Sequence, residues 1–225
     1  MLLSYINITI IAEWASFIAA VVLLDKPTGQ WRSFKILAFI TILLDATGWY
    51  ISYIRKAYNN ALPYNILLLI NVLFFVWIFS LAAPAMKKLC YWLTGIFSLA
   101  WLMNFIFLQG MHVYNSYTEL TGNIIFSFLS CYFFYALLSQ ENYVNLLASE
   151  YAWLAIGLLL SALGSMLIYL FLDYLQHYHD VTGINLYGYI NYTVNVILRS
   201  SLIIAFICRR RNTRQTSLSP LSSPQ

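Results

Sequence analysis

Charge is what this chain has least of. Asp, Glu, Lys and Arg make up only 9% of its 225 residues, against 61% hydrophobic and 18% aromatic. Soluble domains carry about 25% charged residues, and a soluble core of this length has no room for so much apolar surface. A soluble enzyme or binding module is therefore excluded, and the lipid bilayer is the first partner. Acidic residues are the scarcer sign, eight against twelve Lys and Arg. The net charge of +4 does not indicate nucleic acid: the basic residues sit at the ends of apolar runs, and no basic face is interleaved with aromatics.

Other shortages narrow the field. Cys90, Cys131 and Cys208 lie in or at the ends of apolar runs, so no disulfide framework is implied. Pro27, Pro63 and Pro84 punctuate the ends of runs and none interrupts a middle. That, with no internal repeat, weighs against a transporter built on broken helices. No histidine falls inside an apolar run, which excludes a histidine-ligated membrane haem. His177 and His179, with Asp173 and Asp180, read as solvated residues of an outer loop rather than a metal site, and no metal or cofactor is expected. H-E-x-x-H, G-x-S-x-G and Gly-rich phosphate-loop patterns are missing, so an enzyme is not favoured and no catalytic residue is assigned. A retinal protein would need a lysine in its last helix for the Schiff base, and residues 184–208 contain none.

What is present is a series of apolar runs of membrane-spanning length. They predict an all-α polytopic bundle of seven transmembrane helices over residues 3–24, 34–53, 64–83, 89–109, 119–138, 150–172 and 184–208. A polar, Arg- and Ser-rich tail at 209–225 has too little apolar surface to order itself and is expected to be disordered. The amino-terminal run lacks a basic lead and a small-residue cleavage site, so a cleaved signal peptide is not expected. Placing the tail in the cytoplasm puts nine Lys and Arg on that side and only Arg55 and Lys56 on the other, so the amino terminus lies outside. Trp31, Trp92 and Trp153 then fall near the inner interface, where indoles are favoured.

The last run carries the strongest functional signal. Asn191, Asn195 and Arg199 recur every four residues and share one helical face. An arginine midway through a span costs on the order of 3 kcal/mol in lipid, so it must face protein or water. Glu13 and Asp45 are the acids that fall near the middle of other runs, and all three reach similar depth at about 1.5 Å per residue. The predicted intramembrane charge cluster or ligand site is Glu13, Asp45 and Arg199 with the amides of Asn191, Asn195, Asn71, Asn104 and Asn123. A buried ion pair that fixes helix register is the competing reading. On helix six, Gly157, Ser161, Gly164 and Ser165 form a small-residue stripe suited to close packing.

The order of landmarks also carries a resemblance. Glu13, Asp45 with Gly48-Trp49-Tyr50, Asn104-Phe105 with Gln109-Gly110, Trp153 with Gly157-Leu158-Leu159, and Asn191, Asn195 and Phe206 together resemble a group of seven-helix integral membrane proteins of bacteria. The resemblance implies a bacterial inner-membrane location and no particular activity. The combined expectation is a receptor-like or sensory component that binds a small or lipidic ligand in a polar cavity and signals through a membrane or cytoplasmic protein partner. The alternatives are a small proton-coupled transporter and a structural subunit of a membrane complex.

Overall fold

In a computed structural model, residues 8–24, 29–54, 60–139 and 145–218 are described, and they form eight α-helices. These are α1 (Ile8–Leu23), α2 (Trp31–Trp49), α3 (Ala61–Ala82), α4 (Lys87–Met103), α5 (Ser116–Leu138), α6 (Glu150–Leu170), α7 (Leu172–Thr182) and α8 (Leu186–Leu218). Among the described residues there is no strand. Six helical stretches are long and apolar enough to cross a membrane: 31–52, 61–82, 84–108, 116–138, 150–170 and 186–215. This is the architecture of a multi-pass membrane protein. Helix α1 is apolar but, at 16 residues, shorter, and the start of the expected first span lies outside the described residues, as do Lys26, Arg55 and Lys56.

Local sequence sets the helix limits. Ala83, which precedes Pro84, is extended (φ −134°, ψ 95°), as a residue before proline prefers, and it stops α3. Ser149 caps α6, its Oγ accepting from the Ala152 amide at 3.3 Å, and Glu150 follows in the first turn near the positive end of the helix dipole. Helices α2 and α4 each end in one π-helical turn, Tyr50–Ile54 and Asn104–Leu108.

Packing partners close a ring. Helix α1 packs on α2, α2 on α3, α3 on α5, α5 on α6, α6 on α8, and α8 back on α1. Helix α4 packs on α3 and α5 from outside this ring. Short connections put the ends of α2 and α4 at the same end of the bundle as the starts of α3 and α5, and α7 links the end of α6 to the start of α8 there. The opposite end carries Arg32, Lys35, Lys87, Lys88 and the arginines from Arg209 onward.

The half of the ring toward that basic end is filled by aromatic rings. Phe34 meets Phe74, Phe75 and Phe206, and Phe75 meets Phe126, mostly edge to face, an arrangement favoured by ring quadrupoles. Trp31 belongs to this plug: it is 1% exposed, stacked on Phe34 and packed against Tyr151.

Two expectations are corrected. Residues 173–183 are not an outer loop but most of α7, so His177 and His179 are helical, and Gly183 ends that helix in the left-handed conformation (φ 73°). The segment after Cys208 does not leave the fold at once. Arg209 pairs with Glu150 at 3.1 Å and lies 5.6 Å over the Trp31 ring, while Asn212 Nδ2 donates to Glu150 at 2.6 Å and to the Ala148 carbonyl at 3.1 Å. One acidic residue at the start of α6 gives these polar residues partners, and the helix runs on to Leu218; residues 219–225 lie outside the described residues.

Candidate functional site

Above the aromatic plug the ring lines an open cavity of about 1270 Å³. Every ring helix contributes and α4 does not. Helix α8 supplies a ladder of Tyr187, Asn191, Asn195 and Arg199, each about 6 Å below the last on one face. The cavity runs from the loop residues His112 and Tyr114 down to Phe75, Phe126 and Leu158, where the plug begins.

The deep pole is ionic. Arg199 Nη2 lies 3.4 Å from Glu13 Oε1, and the two side chains are only 12% and 7% exposed. Asp45 lies within hydrogen-bonding reach of Glu13 and interacts electrostatically with Arg199, which pairs directly with Glu13. Ser16 Oγ donates to the Glu13 carbonyl at 3.0 Å. On α8, Asn195 Nδ2 donates to both the carbonyl and the Oδ1 of Asn191. The pair joins α1 to α8, the contact that closes the ring.

A second pole sits near the mouth. Glu119, in the first turn of α5, accepts a hydrogen bond from the Tyr169 hydroxyl of α6 and lies within reach of the Tyr114 hydroxyl, with Tyr187 beside it. Tyr114 is 36% exposed as a residue, yet its hydroxyl is buried beside Glu119. Burial first, and then the neighbouring Glu119, push that phenol well above its ordinary pKa. Asn123, one turn below Glu119, lines the cavity too; it is 8% exposed and its Nδ2 has no hydrogen-bond partner.

The loop that carries His112 and Tyr114 is anchored by Asn65 of α3. This fully buried amide donates to the Val113 carbonyl at 3.0 Å and accepts from the Asn115 amide at 2.9 Å, while its own carbonyl accepts from Trp101 Nε1 at 3.1 Å. Asn65→Ala removes both side-chain bonds and leaves the buried Asn115 amide unpaired, at a cost of about 2–3 kcal/mol. Hydrogen exchange should then speed up at Asn115 and across the loop; protection equal to wild type would show that the loop is held by other contacts.

Seven of the eight residues singled out from the sequence line this cavity: Glu13, Asp45, Asn71, Asn123, Asn191, Asn195 and Arg199. Asn104 does not. It lies in the π turn after α4, outside the ring, where its Nδ2 donates to Thr118 Oγ1 and Gln109 Oε1, both at 2.8 Å. Its amide ties α4 to the start of α5. Sequence reasoning missed Glu119, Tyr114, Tyr169 and Tyr187 as a group. Glu119 is an ordinary acid in the first turn of a helix, and the tyrosines come from three other elements of a chain that has 18. Among the described residues no three His, Cys, Asp or Glu side chains come together as a metal would need. The chemistry on offer is recognition: one guanidinium, three carboxyl groups, the His112 imidazole, and amides and phenols that donate or accept. No family model matches the chain, and neither a curated protein nor a solved structure matches it.

Proposed function

We infer that this chain is a receptor-like, seven-span protein of the bacterial inner membrane, amino terminus outside, that binds a small polar ligand in the cavity between its helices. The observation that carries this reading is the cavity itself, with the Glu13, Asp45 and Arg199 cluster at its floor. Ionisable groups at this depth are expensive and mark function by default. The basic residues at the opposite end support a cytoplasmic carboxyl terminus, since positive charge stays inside. That surface, with Arg209 to Arg214, also suits contact with a signalling partner.

Receptor is favoured over transporter by the plug. The aromatic cluster of Phe34, Phe75, Phe126 and Phe206 fills the ring between the cavity floor and the basic end. A ligand seated on the ionic floor shifts the population of helix arrangements by its differential affinity for them.

The test is a panel of small polar solutes on protein in lipid nanodiscs, followed by flux of any labelled hit into proteoliposomes. A ligand at 100 times its Kd stabilises by about 2.7 kcal/mol, so the thermal midpoint should rise by several degrees. Asp45→Asn should remove that rise, and flux should equal that of protein-free vesicles. Flux above that level would replace the receptor with a transporter, and a panel without any stabilising solute would remove the binding reading.

A further inference from the structure

The two poles of the cavity are not equivalent, and the difference bears on ligand charge. Arg199 is committed to Glu13 at the floor, with Asp45 beside them. It stands twelve residues below Tyr187 on α8, about 18 Å along the helix, too far to neutralise Glu119 at the mouth. No described salt bridge reaches Glu119; its partners are the neutral hydroxyls of Tyr169 and Tyr114. A carboxyl group held by phenols inside a cavity, with no lysine or arginine lining that pole, is the arrangement that takes a cation from outside.

Two features select an organic cation over a metal ion. The donors at this pole are one carboxyl group, phenols and an amide, too few anionic oxygens for a divalent cation that needs six or more oxygen ligands. Asn123, meanwhile, offers an unsatisfied amide donor one turn below Glu119, which fits a hydroxyl or carbonyl oxygen near the ligand's charge.

The geometry points to an ammonium-binding subsite at the mouth of the cavity: Glu119 holds the ammonium group of a small organic cation among Tyr114, Tyr169 and Tyr187, and Asn123 donates to an oxygen on the same molecule. This rests on the cavity being a ligand site reached from the outer face.

Thiol accessibility separates the subsite from the cavity. With Cys90, Cys131 and Cys208 replaced by serine, Asn191→Cys places one thiol on the α8 ladder below Tyr187. The modification rate is measured in proteoliposomes with the permanently cationic 2-(trimethylammonium)ethyl methanethiosulfonate and with the anionic 2-sulfonatoethyl methanethiosulfonate, each divided by its rate with 2-mercaptoethanol. A cleft lined by one sign of charge raises the local concentration of the opposite sign by about 10- to 1000-fold, so the cation should react at least about tenfold faster. Glu119→Gln should bring the ratio to within about twofold of unity, and Glu119→Asp, which keeps the charge, should preserve it, separating charge from a fold defect. Equal rates for the two reagents in the wild-type background, or a ratio unchanged by Glu119→Gln, would overturn the ammonium subsite while leaving an open cavity. Protection from both reagents would overturn the cavity reading and the subsite with it.

Discussion

Replacing Arg199 by glutamine should lower the thermal midpoint by on the order of 10 °C, and adding Glu13→Gln should recover part of the loss, since Asp45 still lacks its cation. The guanidinium and the Glu13 carboxyl are nearly enclosed, at 12% and 7% exposure, so neither has bulk water to fall back on. Removing one partner of such a pair leaves an uncompensated charge and costs about 3–5 kcal/mol, whereas removing both can be close to neutral. At about 2–4 °C per kcal/mol for a chain of this size, the single variant loses roughly 6–20 °C. Asp45 modulates the result, because it lies within reach of Glu13 and interacts with the same arginine. Glu13→Gln alone should therefore cost less than Arg199→Gln, since the arginine keeps one acid while the lost arginine leaves two. The double variant also separates function from packing. If it folds and still responds to every ligand that stabilises the wild type, the cluster only sets the register of α1 against α8. If it folds and the response is gone, the cluster is part of the binding site. Equal midpoints for wild type and Arg199→Gln would show that the pair does not hold the ring closed.

How far the sequence announced this arrangement depended on the kind of signal each residue carries. Arg199 was legible because a charge in mid-span has one physical consequence, enclosure, whatever the neighbours are. Asn191 and Asn195 were legible through their four-residue spacing, which puts them on the face that Arg199 must turn inward. Asn104 carried the same residue type at a similar depth, yet both its donor bonds go to Gln109 and Thr118. An amide within a helix reads identically whether it joins two helices or faces a cavity. Glu119 was obscured for a different reason: an acid in the first turn of a helix is ordinary, since it complements the dipole there. Only tertiary contacts with Tyr169 and Tyr114 distinguish it. The ring itself, with α4 left outside, is set by which helices touch, and neither periodicity nor composition ranks seven similar apolar runs by contact.

The end of α7 shows a local signal that was available. Gly183 follows a stretch of polar and apolar residues and adopts the positive φ that closes helices, so the glycine marks a helix stop rather than a loop. Composition pointed the other way because 173–183 is polar, with two aspartates and two histidines. The arginine-rich segment after Cys208 was misleading in the same manner. Its order comes from Glu150 and Trp31, partners 59 and 178 residues distant in sequence, and no local property of the segment reveals them.

The small-residue stripe on α6 makes the sharpest statement about packing, because the required space can be measured. A Cβ on Gly157 would stand 2.5 Å from the Cβ of Ser201 on α8, and one on Gly164 would stand 2.4 Å from a methyl of Val194. The two clashes differ in kind. The Val194 methyl can rotate away at the cost of a poorer rotamer, but the Ser201 Cβ is fixed to its backbone, so Gly157→Ala must push α6 and α8 apart by close to an ångström. Overpacking of this type costs about 1–3 kcal/mol, and because both glycines press on α8 the double alanine variant should cost less than the sum of the two single ones. Gly95 on α4 provides the control: a Cβ there meets nothing within 4 Å, so Gly95→Ala should be neutral or slightly stabilising. The displacement also reaches the cavity floor. Ser201 is two residues from Arg199, so an α8 pushed outward carries the guanidinium away from Glu13, where the contact already stands at 3.4 Å. Gly157→Ala should thus lower the midpoint and weaken the ion pair together, and Glu13→Gln should cost less in that background than in the wild type. If the two substitutions were instead strictly additive, α6 would not be the wall that presses Arg199 toward α1, and the ring would owe its closure to α1 alone.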